Sequence, residues 1–138
     1  MSRRFLQIVL GVLSIIPVLS GITGMFLGIG KFFDTVPRTI ELITYASMDS
    51  QNRYLSAIWL GYAVIVWWII PTIERHMHLF RIMMACIFLG GLARLYSFFV
   101  IGTPKSLYFI LIGLELLVPL ILIPWQTYVA RQCFAKNE

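Results

Sequence analysis

The chain has 138 residues, of which 59% are hydrophobic and only 12% are charged, and its mean hydropathy is +0.87. This composition leaves too little polar surface for a water-soluble domain of this length, so it predicts an integral membrane protein. The net charge of +5 does not indicate a nucleic-acid partner, because the basic residues are scattered along the chain instead of clustered.

Four apolar stretches are long enough to cross a bilayer, since a helix needs about 20 mostly apolar residues to cross a hydrocarbon core of about 30 Å. They occupy residues 5–30, 54–73, 79–100 and 106–125. The connections after the second and third stretches are short, which favours antiparallel neighbours. The sequence therefore predicts an all-α fold: a single domain over residues 1–138 that forms an integral membrane four-helix bundle with up-down-up-down topology.

The first stretch carries a stripe of small residues, Ser20, Gly24 and Gly28, at a spacing of four. Such a stripe allows a second helix to approach closely, either within the bundle or across a dimer seam. Pro17 lacks the N–H group that would bond the Leu13 carbonyl, so we expect a kink there. The stretch is longer than the apolar region of a secretory signal and has no Ala-x-Ala cleavage site, so we expect it to remain a helix.

A segment of mixed polarity, residues 31–53, separates the first two stretches. Val36, Ile40 and Ile43 have the spacing of a short amphipathic helix, which would lie along the outer interface or cover the outer mouth of the bundle. The alternative is an ordered connector without such a helix. In either case we expect residues 45–52 to turn the chain back toward the membrane and the second span to begin near Arg53.

The distribution of basic residues predicts the orientation. Four crossings would place six of them on one side of the membrane, namely Arg3, Arg4, Arg75, Arg81, Arg131 and Lys136. The other side would carry Lys31, Arg38, Arg53 and Lys105. Because an excess of positive charge marks the cytoplasmic side, both termini are predicted to be cytoplasmic.

Two charged residues, Arg94 and Glu115, fall inside apolar stretches. Ionisable groups in a bilayer are expensive and usually face a bundle interior, so they are candidates for a functional site. At about 1.5 Å per residue, Arg94 lies about 22 Å along the third helix from Leu79, and Glu115 lies about 14 Å along the fourth. These depths predict an ion pair in the outer half of the membrane. The pair could serve helix packing alone or could also contact a ligand.

Other polar residues extend this candidate site. Ser97 and Tyr108 lie one or two helical turns from the charged residues, and Asp49 and Arg53 lie near the predicted outer mouth. The predicted ligand-binding set is therefore Asp49, Arg53, Arg94, Ser97, Tyr108 and Glu115. We assign no catalytic residue, no metal ligand and no cofactor. A His-x-His pair beside Glu74 supplies an incomplete ligand set in a short turn.

Several motifs together resemble a bacterial family of small four-helix membrane proteins known only as a domain of unknown function. They are the Asp49-Ser-Gln-Asn-Arg-Tyr-Leu-Ser56 run, the Phe88-Leu-Gly-Gly-Leu-Ala-Arg94 stretch with Ser97, the Gly102-x-Pro104 turn, and Glu115 followed by Pro119. The resemblance covers nearly the whole chain. It implies a bacterial inner-membrane location and a four-helix fold, with Arg53, Arg94 and Glu115 at the family's charged positions. It implies no activity.

Three functions follow as hypotheses. The first is a non-catalytic protein that binds an amphipathic molecule of the lipid or quinone type, or that acts as an accessory subunit of a membrane complex or homo-oligomer. The second is an enzyme acting on a lipid or isoprenoid, with Glu115 as acid or base; only Tyr108 and Asp49 could then supply a second proton-handling group. The third is a proton-coupled exporter, which Arg94 disfavours because a nearby cation keeps a carboxylate ionised.

Overall fold

The computed structural model describes residues 3–32, 42–104 and 106–135, and within these ranges 93% of the residues are helical and none is in a strand. The helices are α1 (Arg3–Leu13), α2 (Ile15–Phe32), α3 (Leu42–Ile69), α4 (Met77–Ile101) and α5 (Ser106–Ala135), with a 3₁₀ turn at Ile70–Thr72. The prediction of an all-α fold is confirmed.

Four helical segments are long and apolar enough to cross a membrane: Arg3–Ile29, Ile43–Thr72, Met77–Ile101 and Ser106–Ala135. Many large apolar side chains on them are exposed, such as Phe26 at 66% and Tyr96 at 70%. Such exposure along whole helices is unfavourable in water and expected in lipid, where apolar side chains need no further cover. The chain is therefore built as a multi-pass membrane protein with the four predicted spans.

The first span consists of α1 and α2, which meet at Ser14, three residues before Pro17. The interruption lies where the missing Pro17 N–H predicts it. Ser14 Oγ donates a hydrogen bond to Gly11 O at 2.7 Å and accepts one from Trp67 Nε1 at 2.7 Å. These bonds join the bend to α3.

In the first helix pair, α2 and α3 pack in antiparallel directions. Gly21 lies against Leu60 and Gly24 lies against Ser56, so residues later in α2 meet residues earlier in α3. The predicted small-residue face is present, but Gly21 takes the place expected for Ser20. The Ser20 hydroxyl donates instead to a carbonyl of its own helix at 2.7 Å.

The second span begins earlier than the sequence suggested. Residues 45–52 do not turn the chain but continue α3, which starts at Leu42. Their polarity is accommodated because Ser47 Oγ donates to the α3 backbone at 2.8 Å and Asp49 and Arg53 pair one turn apart. Of the predicted amphipathic segment, residues 33–41 lie outside the described residues.

In the second helix pair, α4 and α5 are also antiparallel. Phe98 and Phe109 meet near one end of the pair, with ring centres 5.5 Å apart, and Arg81 Nη2 donates to Thr127 Oγ1 at 3.2 Å near the other. Gly102 ends α4 with a φ of 119°, a conformation that favours glycine. The predicted Gly102-x-Pro104 turn therefore begins at the expected residue.

Candidate functional site

The second helix pair brings Arg94 of α4 next to Glu115 of α5. Arg94 Nε lies 3.1 Å from Oε1 and 3.0 Å from Oε2 of the Glu115 carboxylate. Only the Oε1 contact has the angle of a hydrogen bond; Oε2 is buried and accepts none from the described residues. The Glu115 side chain is 13% exposed and that of Arg94 is 41% exposed, so the anion is the more deeply enclosed partner.

Gly91, one turn before Arg94, allows this close approach. It is buried, and a Cβ atom placed on it would lie 3.0 Å from Glu115 Cβ and 3.0 Å from Leu116 Cδ2. The adjacent Gly90 faces open space, with no atom within 4 Å of such a Cβ. Of the two glycines in the motif, therefore, only Gly91 sets the distance between the charged helices.

Beside the ion pair lies an open cavity of about 220 Å³. Its lining comes from α4, α5 and the turn between them: Arg94, Ser97, Phe98, Gly102, Pro104, Tyr108 and Ile112. The Arg94 guanidinium lies 5.6 Å from the centre of the Tyr108 ring, a distance typical of a cation–π contact. Three of the predicted site residues, Arg94, Ser97 and Tyr108, thus line one cavity. Glu115 does not line it but accepts a hydrogen bond from Arg94.

Asp49 and Arg53 form a second polar cluster, within the first helix pair, around a break in α2. Gly28 has a φ of 64° and a ψ of −167°, which essentially only glycine adopts. The break takes the next N–H group out of the helical hydrogen-bond pattern. Ile29 N–H donates instead to Asp49 Oδ1 at 2.8 Å, and a Cβ atom on residue 28 would overlap that carboxylate.

Arg53 satisfies the backbone on the other side of the break. Its Nη1 donates to Met25 O at 2.7 Å and Phe26 O at 3.3 Å, while its Nε donates to Asp49 Oδ2 at 2.7 Å. Asn52 Nδ2 donates to a carbonyl of the same α2 turn at 3.3 Å. Backbone groups without partners are costly in lipid, so this cluster stabilises a break that the membrane would otherwise oppose.

Sequence reasoning missed a buried polar contact between α5 and the segment that precedes α4. Gln126 is fully buried, and its Nε2 donates to Ile73 O at 2.9 Å in the segment that follows the 3₁₀ turn. Glu74, the residue after Ile73, forms an ion pair with Arg3 at 3.0 Å. A glutamine near the end of an apolar run usually indicates the membrane interface. The partner of Gln126 lies 53 residues earlier in the chain, so only the structure reveals this contact.

The two adjacent glycines provide a matched test of the site geometry. Gly91→Ala should lower the free energy of unfolding by about 1–3 kcal/mol, because the added methyl group must push Glu115 and its helix away from α4. Gly90→Ala should have no destabilising effect, since its Cβ atom meets no neighbour. Unfolding of both variants in mixed micelles, followed by circular dichroism, measures the difference. Equal stabilities would show that α4 and α5 do not approach at Gly91.

Comparison with known proteins identifies a family but no activity. Residues 5–126 match the family described as a domain of unknown function, DUF4345. No curated protein and no solved structure matches the chain. Because the match covers most of the 138 residues, the chain belongs to the DUF4345 family.

Proposed function

We propose that this protein is a non-catalytic membrane protein that binds an amphipathic molecule in the cavity between α4 and α5. The cavity lining supports the proposal, because the apolar walls from Phe98, Pro104 and Ile112 converge on the polar groups of Arg94, Ser97 and Tyr108. Ligand sites for amphipathic molecules have this composition: mostly apolar surface with a few placed polar groups. The predicted bacterial inner-membrane location, with both termini cytoplasmic, completes the proposal.

The same lining favours a binder over an enzyme. Glu115, the carboxylate that would act as acid or base, does not line the cavity, and its Oε1 accepts a hydrogen bond from Arg94. A general acid or base must come within about 3 Å of the proton that it transfers. An exporter driven by protonation of Glu115 is disfavoured because Glu115 does not line the cavity, so a substrate bound there would not meet its carboxylate. An accessory role in a larger membrane complex is compatible with ligand binding.

Native mass spectrometry of the protein purified in a mild detergent tests the proposal. We expect the wild-type protein to retain an amphipathic molecule. Ser97→Trp should lose it, because the indole ring fills part of the cavity. Tyr96→Trp is the matched control, since Tyr96 precedes Ser97, is 70% exposed and does not line the cavity.

The proposal fails if the wild-type protein carries no bound molecule after mild purification. It also fails if Ser97→Trp and Tyr96→Trp retain the same amount. Thermal unfolding of the two variants in the same detergent shows whether each is folded. The comparison is then made between folded proteins.

A further inference from the structure

We infer that the ligand of the α4–α5 cavity carries an oxyanion, a phosphate or a carboxylate, which is bound by the two terminal nitrogens of Arg94. This inference rests on the proposed function and names the chemical class of the ligand. It separates an anionic lipid from a neutral amphipathic molecule such as a quinone.

Glu115 engages only one edge of that guanidinium group. Both of its carboxylate oxygens lie near Nε, and among the described residues Nη1 and Nη2 of Arg94 make no hydrogen bond. The Tyr108 ring lies 5.6 Å from the guanidinium carbon and restricts its position further. Arg94 is therefore anchored through Nε, while the N–H groups of Nη1 and Nη2 can donate to a ligand.

Two parallel N–H donors match the two oxygens of a phosphate or carboxylate. Polar donors that stay unpaired beside apolar walls are unfavourable, so an acceptor with two oxygens is the complementary partner. Arg94 is also the only charged residue among the described residues that line the cavity. A cationic head group would find no anionic partner in that lining.

The depth of Arg94 favours a lipid as the source of the oxyanion. Arg94 lies seven residues before the end of α4, which is about 10 Å at 1.5 Å per residue. An arginine side chain can extend from this depth toward the head-group region while its stem stays in apolar surroundings. Phe98 and Ile112, which line the same cavity, would then contact the acyl chain.

Equilibrium binding in detergent tests the inference with two lipids that differ only in the phosphate: radiolabelled dioleoyl phosphatidic acid and dioleoylglycerol. The wild-type protein should bind phosphatidic acid at least about ten-fold more tightly, the difference expected for one charge-assisted interaction. Arg94→Lys keeps a cation beside Glu115 but removes the paired donors, so the preference should fall at least about five-fold. Arg81→Lys, on the same helix, should keep the full preference.

The outcomes separate this inference from the proposed function. Equal affinity for the two lipids, or a preference that Arg94→Lys leaves unchanged, would overturn the oxyanion and leave an amphipathic binder. Failure to bind either lipid would overturn the oxyanion, and the proposed function would then stand or fall on the molecule retained in native mass spectrometry. Millimolar inorganic phosphate should not displace phosphatidic acid. If it does, the oxyanion site stands and its source is a soluble anion instead of a lipid.

Discussion

Gly28→Ala should destabilise the protein strongly, by about 3 kcal/mol or more. A residue with a Cβ atom in the backbone conformation of Gly28 costs about 1–3 kcal/mol, and the added methyl group would also overlap the Asp49 carboxylate. Asp49 would have to move, which would break its bonds to Ile29 N–H and to Arg53. The whole cluster around the α2 break depends on this one missing side chain.

Titration with sodium dodecyl sulfate in mixed micelles, followed by circular dichroism, measures the loss. Gly61→Ala is the matched control, because Gly61 lies in the same helix pair and a Cβ atom there would meet nothing within 4 Å. It should be neutral, or slightly stabilising because alanine is the better helix former. If the two variants unfold together, α2 is continuous at residue 28 and the roles given to Asp49 and Arg53 are wrong.

The break in α2 also shows what the sequence could and could not predict. Hydropathy and length identified four spans, because each apolar run exceeds what a bilayer requires. The same method misread residues 45–52, since their polarity suggested a turn outside the membrane. Asp49 and Asn52 of this run, with Arg53 directly after it, instead supply hydrogen bonds that the broken α2 lacks. These bonds depend on a contact between distant parts of the chain.

The candidate site was predictable to a similar extent. The cost of burying a charge drew attention to Arg94 and Glu115, and helical rise gave them compatible depths. Ser97 and Tyr108 followed from helical spacing, and the cavity brings both beside Arg94. The sequence did not show that only one edge of the guanidinium group would be occupied, or that Gly91 and not Gly90 faces α5. Both depend on the rotation of each helix about its axis.

Removing either member of the Arg94–Glu115 pair should destabilise the protein, and removing both should restore part of the loss. Arg94→Leu alone leaves a carboxylate that is only 13% exposed without its cation, and we expect a loss of about 3 kcal/mol. Glu115→Gln alone should cost less, because the Arg94 side chain is 41% exposed and can reach toward water. The double variant should lose about 1–3 kcal/mol less free energy of unfolding than the sum of the two single losses.

This thermodynamic cycle needs a pair that should not couple, and Arg81 provides it. Arg81 is on the same helix, 13 residues before Arg94, or about 20 Å along its axis, and it donates to Thr127 instead of Glu115. Arg81→Leu combined with Glu115→Gln should therefore be additive. Additive losses for Arg94→Leu and Glu115→Gln as well would mean that the two charges do not interact in the folded protein. Without that interaction, Glu115 would not position Arg94 at the cavity. The cycle therefore tests the geometry of the proposed ligand site without requiring a ligand.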